Sequence, residues 1–185
     1  MPHDPLDAVS KLPLAVSGER ERMEVSNEEE VVRLFEQMRR PLLRYLRTFR
    51  LSPQDGEEVV QEVFLALFRH LQEGKPRNNL HGWVFTVAHR LGWRRRQSQS
   101  QYESLRAEEW PDPTPSPEQT MAAEQAMARA RAVIEALPEQ DRRCLYLRAE
   151  GLRYRQVSEI LGMSVGGVAH SLSRSLAKIA RATEK

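Results

Sequence analysis

His170, Arg174, Lys178 and Arg181 recur at four- and three-residue spacing near the end of the chain. On a helix that spacing gathers four nitrogen-bearing side chains on one face, where they can donate to phosphates and base edges. The segment before them has the form of a helix-turn-helix. Val157, Ile160 and Leu161 mark a short amphipathic helix, Gly162 suits the left-handed residue that closes it, and Ser164 stands where an N-cap belongs. Val165, Val168, Leu172, Leu176 and Ile179 then give a longer apolar stripe, opposite the basic row. Two helices joined by a three-residue turn containing Gly form the unit that lays its second helix in a DNA major groove. Gly166 and Gly167 weaken the start of that helix by roughly 1 kcal/mol each, but they let its backbone amides come close to a phosphate.

Other chemistry is not indicated. The sequence contains no P-loop, HExxH, Cys cluster or Gly-x-Ser-x-Gly. His3, His70, His81, His89 and His170 lack ligand spacing, so neither a metal nor a cofactor is expected, and no catalysis. The lone Cys144 excludes an internal disulfide and reads as a small core residue. Glu57, Glu58 and Glu62 suit a solvated docking face better than an acid–base pair. No apolar run approaches the roughly 20 residues of a membrane span, and the acidic, Pro-broken start is not a signal peptide. A cytoplasmic protein without membrane insertion is expected.

The elements that must position these residues are helices. The 185 residues are 40% hydrophobic but only 6% aromatic, and β-branched residues nowhere alternate; the reading is all-α, two small helical domains joined by a flexible linker. Residues 1–27 show no sustained period and are expected to be a poorly ordered tail. From Glu28 a helix is marked by Val31, Leu34, Phe35, Met38, Leu42, Leu46 and Phe49, with Pro41 expected to kink or split it. Ser52-Pro53 opens a second helix as cap and first residue, with Val59, Val63, Phe64, Leu67, Phe68 and Leu71 on its apolar face. Leu80, Trp83, Val84, Val87, Ala88 and Leu91 mark a third, with Trp83 as a core residue. Ser, Gln, Glu and Pro111, Pro113, Pro115 and Pro117 describe a solvated linker over 99–117. Helical periodicity resumes near Glu118 and fills a second domain, 118–185, to match the first over 28–98.

Charge follows this division. Residues 1–30 carry three basic and eight acidic residues, net −5, and residues 31–100 carry 13 and six, net +7. Residues 101–127 carry one and six, net −5, and residues 128–185 carry 11 and six, net +5. Two basic blocks on an acidic tether suit two polyanion-binding modules.

Two N-terminal tracts, Asp55 to Phe68 and Leu80 to Arg90, resemble regions 2.2 and 2.3–2.4 of bacterial RNA polymerase sigma-70 factors of the short extracytoplasmic-function (ECF) group. The helix-turn-helix resembles region 4.2 of the same group, in the right order, and the likeness covers roughly residues 28–183. The resemblance implies a sigma region 2 bundle over 28–98 and a sigma region 4 unit over 118–185. It implies that Asp55, Glu58, Gln61 and Glu62 dock on the clamp helices of the largest subunit of core RNA polymerase. It also implies that Arg77, Asn78, Asn79, Arg90, Trp93, Arg94 and Arg95 hold the −10 element, one base flipped out and its neighbours single-stranded. Cationic grooves, polar pockets and aromatic faces are what single strands require. Ser164, Gly166, Gly167, His170, Arg174, Lys178 and Arg181 would read the −35 element of promoter DNA, and a cognate anti-sigma factor is a further implied partner.

The sequence departs from the family in two places. His89-Arg90 stands where Arg-Asn is common. Gly166-Gly167-Val168-Ala169-His170-Ser171 stands where Gly-Thr-Val-Lys/Arg-Ser-Arg is usual, which removes two basic positions and implies weaker −35 readout, carried by Arg174, Lys178 and Arg181. The rival reading is a dimeric helix-turn-helix transcriptional regulator whose N-terminal helical domain senses a ligand or dimerises.

Overall fold

The computed structural model describes residues 15–100 and 121–183, and over these the chain forms seven α-helices and no strand. α1 (Ala15–Leu46) passes into a 3-10 turn (Arg47–Phe49), and α2 (Pro53–Gln72) and α3 (Leu80–Ser100) pack beside it to complete the first unit. α4 (Met121–Glu135), α5 (Glu139–Ala149), α6 (Tyr154–Leu161) and α7 (Val165–Thr183) form the second, with α7 packed on the other three.

Local signals set most of these boundaries. The Ser52 hydroxyl accepts from the amide of Asp55 at 3.1 Å and Pro53 is the first helical residue, so α2 starts as its cap dictates. Gly162 closes α6 at φ 65°, a conformation that costs a residue with a Cβ.

Three expectations need correction. α1 begins at Ala15, inside the segment expected to be an unordered tail, because Glu, Arg, Met and Ala over 15–27 propagate a helix once a packed one exists beside them. Pro41 does not split α1: Met38, Leu42 and Tyr45 are all buried around it, and packing outweighs one lost backbone bond. α3 runs on through Gln99 and Ser100, where the linker was expected to begin, because the Gln99 side chain bonds Asp55 of α2. The rest of the expected linker, except Gln99 and Ser100, lies outside the described residues, as do residues 1–14.

The core of the first unit is built from large side chains. Tyr45, Phe49 and Phe85 are fully buried and meet edge to face, with Tyr45 centroids 5.7 Å from Phe49 and 5.6 Å from Phe85. Burying a side chain of this size stabilises the fold by roughly 1.5–3 kcal/mol. Trp83 packs against this core as expected, its ring 4.6 Å from His70. The second unit buries Leu137, Cys144, Leu147, Leu152, Val157, Val168 and Leu172, together with the polar Asp141, Ser171 and Ser175. Cys144 is completely buried, and burial pushes its thiol above the usual range.

Candidate nucleic-acid interface

The turn between α6 and α7 has the geometry its residues call for. The Ser164 hydroxyl accepts from the amide of Gly167 at 3.0 Å, so Ser164 caps α7. A side chain at Gly166 would meet open space, which leaves the backbone there approachable from outside. Along α7 the buried positions are Val168, Ser171, Leu172 and Ser175, while Leu176 is 55% exposed and Val165 is also exposed. The inward face is therefore rotated from the apolar stripe read in the sequence. Asp141 of α5 explains the rotation: buried beneath α7, its carboxylate accepts from Ser171 at 2.8 Å and from Arg174 at 2.7 Å through both oxygens. Burial works against ionising Asp141, but the bonds from Arg174 and Ser171 prevail and hold its carboxyl below the ordinary range.

This clamp divides the proposed −35 residues. His170, Lys178 and Arg181 are exposed on α7, while Arg174, its side chain 47% exposed, gives its Nη2 to Asp141. Ser171, one of the two positions where a basic residue seemed to be missing, points inward, so only Ala169 marks a loss from the outer face.

α3 carries the other set. Arg90, Trp93, Arg94 and Gln97 lie at three- and four-residue spacing and form one wall of a cleft of about 690 Å³. Trp93 is 47% exposed, and Arg90 and Arg94 are exposed beside it. Opposite stand Glu139, Gln140 and Arg143 of α5 and Leu161 of α6. His89 lies in the floor and its Nδ1 pairs with the Tyr45 hydroxyl at 2.6 Å. Burial, then the charges of Arg143 and Arg90, push the imidazole down to about 4, so His89 is neutral near pH 7. Burial likewise raises the Tyr45 hydroxyl far above its usual range, so Tyr45 donates and His89 accepts. The unusual His89 is thus a packing residue.

At the other end of α3, roughly 20 Å along the helix from Trp93, Asn79 adopts φ 62°. Its Oδ1 accepts from the amide of Gly82 at 3.3 Å. A Cβ on Gly82 would come within 2.6 Å of the Asn79 side chain, so glycine is what lets this cap close. The same Oδ1 accepts from Gln156 of α6 at 2.8 Å. Asn78 is exposed, and Arg77 pairs with Glu30 and Asn27 of α1. His70 steadies this loop by bonding the carbonyl of Pro76 at 2.9 Å.

Arg95 does not join the α3 wall. It turns toward α2, with its Nε 2.7 Å from Asp55, and also pairs with Glu58. These contacts raise the Arg95 guanidinium further. Burial again opposes ionisation of Asp55, and the bonds from Ser52 and Arg95 outweigh it, so its carboxyl is held low. One residue from the expected DNA set and two from the expected docking set are therefore partners of each other, because α2 and α3 pack side by side. Gln61 and Glu62 remain exposed, without a partner among the described residues, and Leu65 beside them is 58% exposed. Leu65 was missed in the sequence; its signal is a large apolar residue one helical turn from Gln61 and Glu62, on the polar side of α2.

Two small helical units, one with a helix-turn-helix and the other with a cationic and aromatic helix face, define a modular nucleic-acid-binding protein. Residues 34–101 match Sigma-70 region 2, and residues 123–179 match Sigma-70, region 4. The chain belongs to the sigma-70 family, in its ECF group. It is 30% identical to the ECF RNA polymerase sigma factor SigE of Mycolicibacterium smegmatis over 70% of this chain, but spans only 53% of that protein. It is 27% identical to the RNA polymerase sigma factor YlaC of Bacillus subtilis over 77% of this chain and 85% of YlaC. The solved structure of CnrH in complex with the cytosolic domain of CnrY has the same fold, with a TM-score of 0.55 at 20% identity over 88% of this chain and 92% of that one.

Proposed function

We propose that the chain directs core RNA polymerase to promoters and helps hold the −10 region open, with no catalytic step of its own. The observation that carries this is the pairing of two different nucleic-acid faces in one chain. Arg90, Trp93 and Arg94 offer charge and a half-exposed ring to a single strand. His170, Lys178 and Arg181, with the capped start of α7 at Ser164, Gly166 and Gly167, suit duplex DNA at a −35 element. Asn78 and Asn79 supply amide groups at the −10 end of α3, with Arg77 set back against α1.

Core polymerase would be met by Gln61, Glu62 and Leu65 on α2. Asp55 and Glu58 act instead as a brace that keeps α2 on α3 through Arg95. No helix among the described residues is long and apolar enough to cross a membrane, and none of their His, Cys, Asp or Glu side chains form a group of three or more able to hold a metal. The site of action is the cytoplasm, where polymerase works. CnrH is solved with a part of CnrY, and a regulatory protein that holds this chain from polymerase, an anti-sigma factor, belongs to the same reading. The dimeric regulator is not favoured, because the N-terminal unit that would sense or dimerise matches Sigma-70 region 2.

The test mixes the full chain with core polymerase and a promoter library and sequences the run-off transcripts. Start sites preceded by a shared −10 and −35 pair are expected. No stable association with core, alongside tight binding of the chain alone to palindromic duplex, would return the regulator to favour.

A further inference from the structure

The loop between α2 and α3, residues 73–79, is pinned at three points by three different helices. His70 of α2 bonds the carbonyl of Pro76 at 2.9 Å, and Asn79 accepts from the amide of Gly82 in α3 at 3.3 Å. Between them the Arg77 guanidinium is held by α1: its Nη2 donates to the side-chain carbonyl of Asn27 and its Nη1 to the Glu30 carboxylate. Asn27 is only 2% exposed, so its carbonyl needs a partner inside the fold. A guanidinium shared between an amide oxygen and a carboxylate makes charge-assisted bonds of fixed direction. Asn78, the next residue, is exposed and has no partner among the described residues. Asn27 and Glu30 precede the residues 34–101 that match Sigma-70 region 2, so the α1 end of this clip lies outside the matched segment.

We propose that Asn27 and Glu30 are positioning residues for −10 selectivity, acting through Arg77, which is a strut of the loop and leaves contact with the DNA base to Asn78. The inference rests on the sigma reading, in which this loop helps hold the −10 element. A loop fixed in advance discriminates better than a loose one, because it does not shift its backbone to accommodate the wrong base. A guanidinium turned toward the strand would instead attract phosphates of any sequence. Glu30 neutralises that charge and Asn27 fixes its direction, so the clip gives up general affinity and gains selectivity.

The test is run-off transcription by the full chain with core polymerase from a promoter library randomised over the −10 element, with the transcripts sequenced. Asn27→Leu, similar in size but without the acceptor, should lower base preference within the −10 element about three- to tenfold, the range set by one lost hydrogen bond. Asn27→Asp keeps the acceptor and should keep the preference. Arg77→Met should lose the same preference, and adding Asn27→Leu to it should remove nothing further, since the two act as one device. A purely structural role would lower the yield from every library member alike and leave the preference as it was. An unchanged preference in Asn27→Leu would overturn the proposal, as would additive losses in the double variant, which would give Arg77 its own contact with the strand. Glu30→Ala, at the more exposed end of the clip, reads the same outcome if Asn27→Leu melts too low. Amide exchange over residues 73–79 in the chain alone should be faster in Asn27→Leu, and an unaltered rate would reject the clip without reference to polymerase. Faster exchange together with wild-type start sites that share no −10 element would reject the sigma reading, and the role in selectivity with it; a shared −10 element that Asn27→Leu reads as well as the wild type rejects the clip alone.

Discussion

The two units seat their proposed nucleic-acid faces on interiors of different kinds. In the first, α3 is seated by apolar mass: Tyr45, Phe49, Val84, Phe85 and Ala88 are fully or almost fully buried. In the second, α7 is seated by a smaller apolar set and by a buried carboxylate, with Asp141 holding Ser171 and Arg174. An apolar seat is non-directional and tolerates small shifts of the helix above it. A clamp of three directional bonds fixes the rotation of its helix about its own axis, which is what sets the residues that meet a groove.

The largest effect expected is on the apolar seat. Phe85→Ala should cost about 3–5 kcal/mol and expose the first unit to urea before the second; segment-resolved hydrogen exchange would show which unit opens. Asp141→Ala should cost about 2–3 kcal/mol, because it leaves the Ser171 hydroxyl buried without its acceptor. Its loss should fall on the second unit, and an exchange pattern unaltered in α7 would break this contrast between the units.

Acid should separate the units as well. His89 titrates at about 4 in the folded chain against 6.5 when unfolded. Between those values the unfolded state takes up a proton that the folded state refuses, so the first unit loses stability as pH falls from 6.5 toward 4. Asp141 acts with the same sign in a lower window: its contribution is complete above the ordinary carboxylate value of 3.8 and is lost only as pH falls through its lowered folded value. Thermal melts across this range should show the first unit weakening earlier, and His89→Phe should flatten that window while leaving the acid limb in place.

Smaller effects concern the surfaces. Lys178→Ala should weaken binding to promoter duplex evenly across sequences and reduce the salt slope by about one. Arg95→Ala should cost under about 1 kcal/mol, since its pairs with Asp55 and Glu58 are partly exposed, and it should leave single-strand binding nearly unchanged. A large loss of strand binding would place Arg95 back on the −10 face.

Much of this was legible in the chain itself. The caps at Ser52 and Ser164 and the left-handed Gly162 are local chemistry, decided within three or four residues, and they stand as read. Trp83 followed from helical period and packs against the core, and Cys144 followed from its residue type and is buried in it. What failed was partnership between elements. Asp55 and Arg95 are 40 residues apart, and each looked available for an outside partner until α2 and α3 lay side by side. Arg174 and Asp141 are 33 apart, and the apolar pattern of α7, with Leu176 on it, pointed to a different inward face. Periodicity cannot register a serine that is buried because a carboxylate waits beneath it.

The sequence by itself determined that the chain is helical, that it has two basic modules, and that its second module ends in a helix-turn-helix, because hydrophobic period, capping residues and charge blocks act over short range. Only the tertiary structure decided which charges still face outward. Opposite charges distant in sequence neutralise one another once packing brings them within hydrogen-bond reach, and no residue carries in its type or spacing a record of the helix that will lie against it.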